Sequence, residues 1–87
     1  MAPTLLDLKV FIIETLDLED LRPGDIGDDQ PLFKGGLGLD SVDALELAMA
    51  LKRRFGATVE AAGSLQGRLG TVRALAAWLA EGSRETG

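Results

Sequence analysis

Gly36-Leu37-Gly38-Leu39-Asp40-Ser41-Val42-Asp43-Ala44-Leu45-Glu46-Leu47 joins a glycine-rich loop end to an amphipathic helix. A serine falls in the first turn of that helix. Asp40 reads as the N-cap, and the helix is expected over 41–55. Asp43 and Glu46 sit in its early turns, and Lys52-Arg53-Arg54 close it. Acids early and bases late both complement the helix dipole, and Gly56 supplies a C-terminal stop. A helix start offers unpaired backbone N–H groups and a partial positive charge of roughly +0.5, a natural seat for a phosphate or phosphodiester. Ser41 is expected there with its hydroxyl exposed, pointing away from a buried stripe of Leu45, Ala48 and Leu51.

Two more helices flank this one. The first is expected over 5–16, with Thr4 as N-cap and Asp7 three residues on, a capping-box-like start. Its apolar stripe is Leu5, Leu8, Ile12 and Leu16, widened by Val10, Phe11 and Ile13. The last is expected over 72–80, capped by Thr71, with a stripe of Val72, Leu75, Ala76 and Leu79. A long connection, 17–39, carries the turn signals Pro23-Gly24, Asp28-Asp29, Pro31 and Gly35-Gly36. Loops beyond roughly 12–15 residues in compact domains are usually functional or disordered. Leu18, Leu21, Ile26, Leu32, Phe33, Leu37 and Leu39 argue that this one lies against the core. The stretch 59–70 is ambiguous: Leu65 and its neighbours suit a short helix, while Gly63, Gly67 and Gly70 weaken it. The expected architecture is all-α, a small four-helix bundle of three main helices and one short irregular one.

The 87 residues make one small domain, 46% hydrophobic and 26% charged, with net charge −5. Charge is uneven: residues 14–46 carry ten acids and two bases, whereas 47–87 carry three acids and six bases. The acidic balance argues against non-specific nucleic-acid binding. No apolar run approaches the roughly 18 residues a membrane span needs. Met1-Ala2-Pro3-Thr4 carries neither the basic region nor the cleavage site of a secretory signal, and the lack of cysteine fits a reducing cytoplasm. With no Cys and no His, disulfides, thiolate or imidazole metal sites and a Ser–His–Asp triad are excluded, and no metal is expected.

Ser41 fails as a nucleophile. A nucleophile elbow needs Gly two residues either side, where this chain has Leu39 and Asp43. The nearest lysine in the helix, Lys52, lies about three turns away. Gly36-Leu37-Gly38 lacks the third glycine and βαβ setting of a dinucleotide fingerprint. Asp25, Asp28 and Asp29 are wrongly spaced for an EF-hand.

The segment from Pro31 to Gly56 resembles the recognition core of an acyl carrier protein, whose hallmark is Asp-Ser-Leu at the start of its second helix. Here the triplet is Asp40-Ser41-Val42, followed by Asp43, Glu46-Leu47, Met49-Ala50-Leu51 and Phe55-Gly56. The order of elements, the length and the acidity are similar over the whole chain, 1–87. The resemblance implies that a phosphopantetheinyl transferase attaches 4′-phosphopantetheine from coenzyme A to Ser41, beside Asp40. The thiol of that arm then carries acyl groups as thioesters, and the carrier itself catalyses nothing. It implies a partner surface of Leu37, Val42, Asp43, Glu46 and Met49, with Lys52 and Arg53 beyond, and a core and acyl pocket of Phe33, Leu45, Leu51, Phe55 and Leu75. Implied partners are the transferase and acyl-transfer and chain-elongation enzymes of fatty-acid-like or polyketide-like synthesis, met by a cytoplasmic monomer.

One departure stands out. Typical carriers continue with acids after Met-Ala-Leu, where this chain has Lys52, Arg53 and Arg54. A peptidyl or aminoacyl carrier is the nearest alternative, although such carriers usually place Gly-Gly rather than Asp before the serine turn. An unmodified helical adaptor, binding one partner through the acidic face, is the alternative that needs no modification.

Overall fold

The computed structural model describes residues 3–33, 35–59, 65, 67 and 69–81. Helix α1 spans Leu5–Leu16, α2 spans Ser41–Phe55 and α3 spans Val72–Ala80, and a single 3-10 turn, Pro23–Asp25, lies in the long connection. The described elements are all helical. The expected short fourth helix falls mostly on residues 60–64, 66 and 68, outside the described residues.

Each helix begins where a short polar side chain can satisfy the orphan amides of its first turn. At α1, Asp7 N–H donates to Thr4 Oγ1 at 3.0 Å while Thr4 N–H donates to Asp7 Oδ2 at 3.0 Å, a complete capping box. At α3, Ala74 N–H donates to Thr71 Oγ1 at 3.1 Å. Helix α2 ends at Gly56, whose left-handed φ of 70° turns its N–H back to the Lys52 carbonyl at 2.9 Å.

Helix α1 is the shared partner, packing against α2, α3 and the 3-10 turn. Its buried face is Leu8, Phe11 and Ile12. These meet Ala44, Leu47, Ala50 and Leu51 of α2 and Val72, Leu75, Trp78 and Leu79 of α3 in one core. Ile26, Leu32 and Phe33 of the long connection, with Ala57, Leu65 and Leu69, complete it. The connection is therefore laid down on the bundle, as its apolar spacing demanded, since an unanchored loop would gain nothing to offset its ordering entropy.

Polar contacts fix the same loop. Lys9 of α1 meets Asp28 at 2.6 Å, and Arg73 of α3 meets Asp29 at 2.7 Å and Asp28 at 3.7 Å. Arg73 N–H also donates to the Asp28 carbonyl, and Leu32 N–H to the Gly70 carbonyl at 2.8 Å. Two helices thus grip one turn of the connection.

Candidate functional site

The loop end that delivers Ser41 is built tightly. Leu37 N–H donates to the Pro31 carbonyl at 3.1 Å and Leu39 N–H to the Leu32 carbonyl at 3.2 Å, so 36–39 folds back on 31–33. A side chain at Gly36 would put its Cβ 1.7 Å from the Pro31 carbonyl oxygen, so only glycine fits. Gly38 then turns the chain with φ 79°. The backbone is extended again at Asp40, the N-cap of α2.

Asp40 and Asp43 share the capping of α2. Asp43 N–H donates to Asp40 Oδ1 at 2.9 Å, and Asp40 N–H donates to Asp43 Oδ2 at 3.1 Å. The first intrahelical bond runs from Ala44 N–H to the Asp40 carbonyl at 3.0 Å. Ser41, the first helical residue, is exposed and has no part in this box. Both carboxylates point at backbone amides, and the hydroxyl is left to solvent. Helix geometry leaves the amides of Ser41 and Val42 without intrahelical acceptors. An exposed alcohol at the positive end of a helix, outside the capping box, suits a phosphodiester ester bond; the donor set fits.

The face of α2 that continues from Ser41 is exposed. Val42 is 63% exposed, and Leu45 and Met49 are each 54% exposed. Glu46, Lys52 and Arg53 are exposed on the same side. Of the expected partner surface, Val42, Glu46, Met49, Lys52 and Arg53 share this exposed helix face, and two residues do not. Asp43 is half-buried in the cap, and Leu37 is half-buried against the core, beside a groove formed with 17–21.

Leu45 departs from the sequence-based expectation. It was expected in the core and acyl pocket, and it lies outside. The buried row is Ala44, Leu47 and Leu51, with Leu47 and Leu51 at 0% exposure. Both rows have helical spacing: Leu45-Ala48 and Ala44-Leu47 differ by one residue, a rotation of about 100°. Ala48 is half-buried at the margin. The signal that distinguishes the rows is Met49 and Val42, which cannot both face out if Leu45 faces in.

The other expected pocket residues are packed. Phe33, Leu51 and Leu75 are buried in the common core, and none of them lines the described surface grooves. Phe55 is half-buried and meets Phe11 edge to face, centroids 5.1 Å apart. The Arg54 guanidinium lies 5.8 and 5.9 Å from the two ring centroids, a contact the charge pattern alone did not reveal. Trp78 is buried, with an indole N–H that has no acceptor among the described residues.

Among the described residues no group of His, Cys, Asp and Glu could hold a metal ion, and no helix is long and apolar enough to cross a membrane. A family model for the phosphopantetheine attachment site matches residues 8–79. The chain belongs to the phosphopantetheine attachment site family. No curated protein and no solved structure matches it. Its domain is therefore one that takes 4′-phosphopantetheine as prosthetic group and serves as a carrier that meets phosphopantetheinyl transferases and biosynthetic enzymes. Carrier domains of this family are generally non-catalytic.

Proposed function

We propose that this chain is an acyl carrier protein, that Ser41 Oγ is the attachment point, and that the carrier has no catalytic role of its own. The observation that carries the reading is Ser41 itself: exposed, at the first position of α2, and released from capping by Asp40 and Asp43. In this reading the bound arm supplies a thiol that holds cargo as a thioester. The chain's own residues do the rest. The rigid loop end at Gly36 and the box at Asp40 hold the hydroxyl at a fixed point. The amides of Ser41 and Val42 and the helix dipole favour negative charge there. The exposed face of α2 offers contacts for partners.

Asp40 immediately before Ser41 favours an acyl over a peptidyl or aminoacyl carrier. Lys52 and Arg53 support service in a specialised fatty-acid-like or polyketide-like pathway of the cytoplasm, as a monomer, rather than in primary fatty-acid synthesis.

The deciding measurement is intact mass after incubation with coenzyme A and a broad-specificity phosphopantetheinyl transferase. The wild type is expected to gain one phosphopantetheine and Ser41→Ala none, with helicity unchanged because the cap is Asp40. No gain with several active transferases would overturn the reading and favour the helical adaptor.

A further inference from the structure

Lys52 and Arg53 are more than a helix terminus. Three successive bases close α2, and any of them near the last carbonyls complements the dipole. Arg54 is occupied over the rings of Phe11 and Phe55. Lys52 and Arg53 instead are exposed and lie on the same face as the ridge Val42, Leu45 and Met49. Residues 42, 46, 49 and 53 follow i, i+4, i+7, i+11 and so form one row along the helix. Residues 45 and 52, seven apart, form the row beside it. Each row ends in a base, and Glu46 stands near the serine end. Among the described residues the ion pairs are those of Lys9 and Arg73, and none of them involves Glu46, Lys52 or Arg53.

We infer that this face docks an enzyme whose surface has an apolar cleft, cationic side chains beside the mouth of the channel that receives the arm, and acidic side chains further along. The inference rests on the carrier reading of Ser41 and names its partner's chemistry. At about 1.5 Å per residue, Arg53 lies roughly 18 Å along the axis from Ser41 and roughly 10 Å from Glu46. That second distance is about a Debye length at physiological salt, so the two charge patches address separate patches on the partner. A partner that is cationic along its whole docking face meets Lys52 and Arg53 with like charge, which slows encounter and weakens the complex.

The test uses the loaded protein and an acyltransferase that docks carriers through a uniform Arg/Lys patch, with a second form of that enzyme in which the patch residues facing the end of α2 are changed to Glu. Loading is checked first by intact mass and folding by helicity. K52E/R53E is expected to raise kcat/KM with the cationic enzyme at least tenfold over wild type, chiefly through KM. The gain is expected to shrink between 50 and 500 mM salt. K52Q/R53Q is expected to fall between the two, and it keeps the test intact should the reversed variant misfold. The altered enzyme is expected to reverse the preference. Equal transfer to wild type and both variants, or a gain indifferent to salt, overturns the docking proposal while leaving the carrier reading standing. Failure of wild type to load overturns the carrier reading and this inference with it.

Discussion

Gly36 shows how a single missing methyl group sets where the Ser41 hydroxyl stands. The Pro31 carbonyl occupies the place where a Cβ would be, and it accepts the Leu37 amide. An alanine there has to push the 31–33 stretch of loop away, and that breaks the fold-back that aims Asp40. Gly36→Ala is therefore expected to lower stability by about 1–3 kcal/mol, as overpacking and backbone shifts do, and to slow loading of Ser41. Gly24→Ala is the control, because nothing lies within 4 Å of its added methyl. Urea melts and a loading time course check both. Asp40→Ala removes one side of the capping box and is expected to cost about 1 kcal/mol, whereas Ser41→Ala is expected to leave stability within about 0.5 kcal/mol.

At the scale of elements, α2 places its buried and its exposed apolar residues on opposite faces. Leu47→Ala deletes a side chain with no exposure, so it is expected to cost about 2–5 kcal/mol. Leu45→Ala, two residues earlier, removes one that is half in water and is expected to change stability little while weakening transfer to partners. Chemical denaturation paired with transfer kinetics separates the two. The boundaries of all three helices were legible in the sequence because Thr4, Asp40, Thr71 and Gly56 are local signals that act within a turn. The facing of α2 was legible only in part. A helix with Leu or Ala at 44, 45, 47, 48, 50 and 51 offers two adjacent apolar stripes, and long-range packing against α1 chooses between them. The polar grip on the loop was invisible for a related reason. Asp28 and Asp29 find Lys9 and Arg73, which are distant in sequence, so no spacing rule reports the pairing.

For the whole molecule, that grip is the feature most sensitive to conditions. The hydrogen bond from Lys9, reinforced by the charges of Lys9 and Arg73 and only partly opposed by desolvation, holds the Asp28 carboxyl below the ordinary carboxylate range. A carboxyl with a lowered folded-state pKa favours folding above its unfolded value, about 4, and that contribution fades as pH falls through the lowered value. Thermal melts from pH 7 downward are expected to show wild type losing stability on the acid side, with Asp28→Asn already lower at pH 7 and falling less steeply. Because both ends of the pair are partly open to solvent, added salt is expected to narrow the difference. The way α2 begins sets a second property of the whole molecule. The hydrogen bonds that start it belong to two aspartates, so the esterification proposed for the serine between them withdraws no support from the architecture. The helix dipole favours the new negative charge and the carboxylates of Asp40 and Asp43 oppose it. Empty and charged carriers should then melt at nearly one temperature.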